Sequence, residues 1–161
     1  SQGVMMALAG VPALYYNSVL AAPNNHQGLA ETGRNRTINR KKWTIEEVNE
    51  RLSDAESIPA RVLAGIRKLV ETRRQLDVFH PEASQDCCFV DQRLFVVKRR
   101  SRDESKTVTC LFNLTKQAVV IPKKSIEMTV NQVPIVHYKS GNLNADGERI
   151  ELSPYAMAWV E

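Results

Sequence analysis

The chain has 161 residues, 43% hydrophobic and 25% charged, with 22 Lys and Arg against 18 Asp and Glu for a net charge of +4. That is a globular composition, enough for one ordinary domain or two small units, and it excludes a largely disordered chain. No apolar run approaches the ~20 residues that cross a bilayer, the first residues lack a signal peptide's basic region and cleavage site, and the cysteines, two of them adjacent as Cys87-Cys88, suit neither a disulfide framework nor a zinc site. The expectations are a cytoplasmic protein with no membrane association, no metal and no other cofactor.

In chain order, Val4 to Ala9 is apolar enough to be the end of a buried helix. Val11 to Tyr16, within Gly10-Val11-Pro12-Ala13-Leu14-Tyr15-Tyr16, is predicted as a short strand, apolar on both faces like a strand of a parallel sheet covered on both sides. Tyr15 and Tyr16 would then point to opposite faces, each into core packing. Residues 17–43 follow as a loop of about 27 residues, far beyond the usual connection length, which argues for a site. It carries Arg34, Arg36, Arg40, Lys41 and Lys42, and loops leaving the C-terminal ends of parallel strands are where ligand contacts usually lie.

Thr44-Ile45-Glu46-Glu47 has the form of a capping box, with Ile45, Val48 and Leu52 at helical spacing behind it. From Ile58 to Leu76 apolar residues recur every three or four positions, with Arg61, Arg67, Lys68, Glu71 and Arg74 on the other face, so an amphipathic helix is expected there, closed before Pro81. Near residue 84 the period changes to two. Val108, Cys110, Phe112 and Leu114 fall on one face with Thr107, Thr109 and Asn113 on the other, and Tyr155, Met157 and Trp159 repeat the pattern. Asp146-Gly147 signals a hairpin turn, and the polar run Ser101 to Lys106 a hairpin tip whose flanking cluster, Lys98, Arg99, Arg100 and Arg102, reads as solvated. Nucleic-acid binding is not expected, because the basic clusters come with no recognisable binding fold or aromatic stacking partners.

Met6 to Trp43 resembles the eighth strand and following loop of the α-amylase superfamily, glycoside hydrolase family 13, where G-[IVT]-P-x-[IL]-Y recurs. Gly33-Arg34-Asn35-Arg36-Thr37-Ile38-Asn39-Arg40 is similar to the Gly-Arg-x-x-Ser-Ile-Asn-Arg form of its sucrose phosphorylase branch. Arg67-Lys68-Leu69-Val70, Arg73-Arg74 and Phe79-His80-Pro81-Glu82-Ala83 resemble the last barrel helix and its exit, and Leu152-Ser153-Pro154-Tyr155-Ala156-Met157-Ala158-Trp159 the closing strand. The resemblance implies an α/β plus all-β fold: residues 1–84 as the end of a (β/α)8 TIM barrel (strand 8, active-site loop, final helices), and residues 85–161 as an antiparallel β-sandwich C-terminal domain.

It also implies that the chain is the C-terminal piece of a larger retaining α-glucoside phosphorylase, whose catalytic Asp, Glu and Asp lie upstream of Ser1; no residue here is expected to be catalytic, and the chain alone is expected to be inactive. Partners implied are a sugar substrate (an α-glucoside), inorganic phosphate and the remainder of the barrel. Substrate binding falls to Arg36, which aligns with the family arginine beside the scissile bond, with Asn25, Arg34 and His26 as further candidates. Asn25 stands where phosphorylase relatives often have Asp. A guanidinium suits the task because its five fixed donors can bridge adjacent hydroxyls; a structural ion pair ordering the loop is the competing reading of Arg36. Two alternatives stay open: a superfamily hydrolase or transglucosidase, and a noncatalytic carbohydrate-binding or scaffold β module, which would use Trp159 or Tyr138. If nothing covers Met5, Met6, Leu8, Val11, Leu14 and the stripe from Ile58 to Leu76, that apolar surface should drive association, including homodimerisation.

Overall fold

The computed structural model describes residues 2–161. It contains five α-helices, α1 (Gln2–Ala7), α2 (Tyr16–Val19), α3 (His26–Thr32), α4 (Ile45–Ser53) and α5 (Ile58–Gln75), then eight strands, β1 (Ser84–Cys88), β2 (Leu94–Arg100), β3 (Thr107–Asn113), β4 (Val119–Pro122), β5 (Val136–Ser140), β6 (Leu143–Ala145), β7 (Arg149–Leu152) and β8 (Met157–Val160). Two compact units result: Ala13–Lys68, and the residues up to Pro12 together with Leu69–Glu161.

The larger unit is built on two antiparallel sheets, five strands in the order β1-β2-β3-β8-β5 and three in the order β4-β7-β6. The register of β2 and β3 pairs Val97 with Cys110 and Val96 with Leu111, so neighbouring residues send their side chains to opposite faces. Val97, Val108, Cys110, Phe112 and Trp159 face one layer, where Met6 and Ala7 of α1, Leu69 of α5 and Phe79 close a core. Val96, Leu111, Ala158 and Val160 face the other, against Ile121, Ile150 and Leu152 of the second sheet. The five-stranded sheet is therefore covered on both faces, as in a sandwich with a helical layer added.

This double cover corrects several expectations. Thr109 and Asn113 are buried like their neighbours, at 4% and 2% exposure, because their face meets the second sheet. Leu114 and Tyr155 are exposed: Leu114 lies past the end of β3, and Tyr155, in the left-handed region with φ of 55°, precedes β8. Lys98 and Arg99 are buried within β2 and only their flanks are solvated, since the strand runs through Arg100 before the turn begins. Met6 and Leu69 are covered by the sheet, whereas Val11, Leu14 and Ile58 are exposed.

Arg73 and Arg99 are buried without a carboxylate partner among the described residues, and backbone carbonyls take that place. Arg73 donates to Met6, Leu8, Gly10 and Phe79, and Arg99 to Ala7, His80 and Ala83. The carbonyls at and just past the end of α1, left unpaired by the helix itself, are thus satisfied by cations at the negative end of its dipole. Burial lowers both guanidinium pKa values from their ordinary value and pushes the Cys110 thiol up. All three cysteines are free.

The predicted strand at Val11 to Tyr16 does not form. Val11 to Tyr15 has no strand partner among the described residues, and Tyr16 begins α2. A doubly apolar strand exists only between neighbouring strands, and none is present here for it to join.

Candidate functional site

Residues 17–43, expected as one long loop, fold into two short helices and a 3-10 turn. Asn25 caps α3, accepting a hydrogen bond from the Gly28 N–H at 2.9 Å, and Gly33 ends the helix in the left-handed conformation (φ 62°) with its N–H on Leu29 O. The 3-10 turn Asn35–Asn39 folds back on α3: Asn25 N–H donates to Ile38 O at 2.6 Å, and the Thr32 and Thr37 hydroxyls bond at 3.0 Å. Gly28 is required where they meet, since a Cβ there would stand 2.4 Å from Asn25 Nδ2 and 3.0 Å from Thr37 Cγ2.

Behind the turn lies a hub that sequence reasoning missed. Asn17, 5% exposed, accepts from the Trp43 indole N–H at 2.6 Å and donates through Nδ2 to Tyr15 Oη and to the carbonyls of Asn39 and Lys41 at 3.1–3.3 Å. The Tyr15 and Tyr16 hydroxyls donate to the same two carbonyls, at 3.2 and 2.9 Å, so both rings serve this strap rather than opposite faces of a strand. Their edge-to-face contact, with centroids 4.9 Å apart, keeps them together. Desolvation, with the neighbouring Tyr15 hydroxyl, raises the Tyr16 pKa. A single Asn after two Tyr carries no periodic signal; only its contacts identify it.

Trp43 is gripped by cations, with the Lys41 ammonium 3.9 Å and the Arg51 guanidinium 4.6 Å from its ring centroid. Arg51 also reaches the carbonyls of Leu20 and Ala21 at 3.3 Å. The capping box forms as expected: Thr44 and Glu47 exchange hydrogen bonds at 2.9 and 3.2 Å. The Thr44 backbone N–H, with Lys41 beside it, holds the Glu47 carboxyl below the usual range. An open groove of about 720 Å³ runs along Trp43 and Arg51, with Glu47, Glu50 and Asp54 on its acidic wall.

The four sequence-predicted residues fall in this unit with different freedom. Asn25 is committed to its cap, so its side-chain oxygen is already engaged. His26 opens α3 and is exposed. Arg34 and Arg36 flank Asn35 at the start of the 3-10 turn, both exposed, and neither guanidinium makes a hydrogen bond or ion pair among the described residues. The loop is ordered by Asn17 and the caps, not by an Arg36 ion pair, which leaves ten guanidinium N–H donors free, five on each arginine. Among the described residues no three His, Cys, Asp or Glu are grouped to hold a metal ion.

In the larger unit the aromatic residues expected of a carbohydrate-binding module, Trp159 and Tyr138, are 0% and 5% exposed and pack together at 5.5 Å between centroids. They present no platform to a sugar. No helix is long and apolar enough to cross a membrane among the described residues.

No protein-family model matches the chain. It is 32% identical, over 99% of its own length, to glucosylglycerate phosphorylase of Spirochaeta thermophila, of which it covers 29%. It is 25% identical over 57% of its length to sucrose 6(F)-phosphate phosphorylase of Thermoanaerobacterium thermosaccharolyticum, covering 18% of that protein. The chain spans only 25% to 29% of the length of three glucosylglycerate phosphorylases that it matches. In fold, 98% of it superposes on 29% of the debranching enzyme of Nostoc punctiforme with a TM-score of 0.63 at 11% identity.

Proposed function

Since the chain resembles, in sequence and fold, the C-terminal part of the sucrose phosphorylase-like enzymes of glycoside hydrolase family 13, we propose that it is part of a longer retaining α-glucoside phosphorylase. The observation that carries this reading is the 32% identity sustained over 99% of the chain. The donor we favour is glucosylglycerate, because the match to that phosphorylase runs the whole length while the match to the sucrose 6(F)-phosphate enzyme stops at 57%.

Retaining transfer uses one carboxyl group as nucleophile and a second to protonate the leaving oxygen, after which phosphate in place of water takes the glucosyl group. Both carboxyls are assigned to residues outside this chain, so residues 1–161 alone would not turn over. Within it, residues 1–84 would complete the barrel and residues 85–161 form the β domain. Val11 to Tyr15, without a strand partner among the described residues, would become a strand against barrel neighbours that also cover Val11 and Leu14. Arg36 would hold the glucosyl unit: its exposure, and the lack of a partner for its guanidinium among the described residues, leave both edges for sugar hydroxyls. Arg34 would attract the phosphate and His26 line the mouth, while Asn25 shapes the turn through its cap. Three free thiols, Cys87 exposed among them, favour a reducing cytoplasm.

The test is release of glucose 1-phosphate from glucosylglycerate and from sucrose by the polypeptide that carries this chain. Strict dependence on phosphate is expected, with about a 10- to 100-fold loss of kcat/KM in Arg36→Ala, as fits the loss of one or two charge-assisted hydrogen bonds. Release of free glucose at the same rate without phosphate would make the parent a hydrolase and overturn the phosphorylase reading.

A further inference from the structure

The inward face of β2 reads Leu94, Val96, Lys98, Arg100: two core residues, then two cations. Lys98 stands opposite Thr109 and Arg100 opposite Thr107, so two basic side chains and two hydroxyls form adjoining rows on one face of the sheet. Where the apolar space between the two sheets ends, these four side chains line a pocket of about 260 Å³, closed on its other side by Glu127, Gln132 and Glu161, whose carboxylate lies 2.9 Å from His137 Nε2. That volume is at the small end for ligand sites and well beyond a single water.

Lys98 is the unusual member. Its side chain is 5% exposed, and a buried ammonium requires an anion. The anion it has is Glu127, whose own side chain is 77% exposed and whose backbone is in the left-handed region at φ 60°, strained for a residue with a Cβ. Arg100 is likewise paired to a largely exposed carboxylate, Asp86. Both acids can return to water at small cost, whereas Lys98 is held in the sheet and Arg100 stands beside it, about a third exposed. The far wall is also fixed: the buried Lys123 ammonium holds the carbonyls of Gln132 and Asp146 at 2.7 and 2.5 Å.

The geometry points to a phosphate-binding site in this pocket, for inorganic phosphate or a sugar phosphate, with Lys98 and Arg100 as its cationic ligands, Thr107 and Thr109 as hydroxyl donors, and Glu127 as the carboxylate the ligand displaces. Once Glu127 leaves, the two cations outnumber the one carboxylate that stays in the wall, Glu161, and a phosphate's tetrahedral oxygens suit donors arriving from two strands. The site does not rest on the phosphorylase reading, since it involves no residue assigned to that reaction.

Methyl-labelled NMR of the polypeptide carrying this chain tests it, with Met128 and Ile126 of the pocket wall as reporters. Titration with inorganic phosphate, with glucose 1-phosphate, and with chloride at matched ionic strength should give saturable shifts for phosphate or its ester only, and the tighter of the two identifies the physiological source. Glu127→Gln should lower the midpoint at least threefold and Arg100→Gln raise it at least threefold; Lys98→Met should abolish the shifts with the remaining methyl signals in place. The Arg36→Ala variant should titrate like the parent, which separates this site from the sugar site. Shifts reproduced by chloride, or midpoints indifferent to Glu127→Gln and Arg100→Gln, would overturn the assignment.

Discussion

The two compact units are held by different forces. The larger one buries apolar side chains on both faces of a sheet: Val97, Cys110, Leu111, Ala158, Trp159 and Val160 are all 0% exposed. The smaller one, residues 13–68, has almost no such core. Its buried residues include Asn17 and Gly28, an amide and a residue without a side chain, while Tyr15, Tyr16, Ile45 and Ile58 remain exposed. Apolar burial scales with area and tolerates variation in detail, whereas a unit held by caps and one buried amide depends on a few directed hydrogen bonds. The arginine-bearing turn sits in the second kind of unit, which suits a site whose polar groups must be held in place yet left free at their tips.

Substitutions can break this contrast, the core first. Trp159→Ala removes a side chain packed 4.5 Å from Phe79 and 5.5 Å from Tyr138, ring centroid to centroid. It should cost about 3–5 kcal/mol in urea unfolding followed by circular dichroism; a loss under about 1 kcal/mol would mean the sheet core is not the main source of stability. Asn17→Ala should cost about 1–3 kcal/mol by leaving the Trp43 N–H without its acceptor and the Asn39 and Lys41 carbonyls with the tyrosine hydroxyls alone. Its mark should be local: red-shifted Trp43 fluorescence and faster proteolysis within residues 17–43, with the β-sheet signal intact. If the sheet melts with it, the two units are not separately held. Thr44→Ala, which removes one half of the capping box, should cost about 1 kcal/mol, read as lost helicity in α4.

Acid should act on the larger unit through two hairpin carboxylates. Arg93 lowers the Asp91 pKa from 3.8 to about 2, and the Ser101 hydroxyl and Ser105 N–H do the same for Asp103. A depressed carboxyl contributes stability in full above its unfolded value, and that contribution is lost as pH falls from about 4 through about 2. Acid titration of Asp91→Asn and Asp103→Asn should show a shallower decline over that window than the parent, and identical curves would refute the assignment.

How much was legible follows from which signals are local. The capping box at Thr44 and Glu47, the stripe of α5 and the strands around Val108 to Phe112 each announce themselves within a few residues, and each is where it was expected. The burial of Thr109 and Asn113 was not legible, because alternation marks one covered face and says nothing of a second sheet on the other. Lys98 and Arg99 looked solvated for the same reason: a charge pattern records residue type, while the carbonyls that satisfy Arg99 come from Ala7, His80 and Ala83, far away in sequence. In the candidate site, Arg34 and Arg36 were singled out through the run in which they stand, and the structure adds that they are exposed and that neither guanidinium makes a hydrogen bond or ion pair among the described residues. Asn17 was invisible, since its partners lie up to 26 residues away.

By itself, then, the amino-acid order determined the helices with caps or stripes, the change from helical to strand period near residue 84, and the resemblance that names a candidate sugar-binding arginine. These depend on backbone propensity and side-chain spacing, which act over one or two turns. Tertiary structure alone decided that the five-stranded sheet is covered twice, that buried arginines satisfy carbonyls in place of carboxylates, that Val11 to Tyr15 has no strand partner among the described residues, and that Lys98 and Arg100 line a common pocket. Those outcomes depend on which distant groups meet, and a buried polar group takes whatever partner the fold brings within reach.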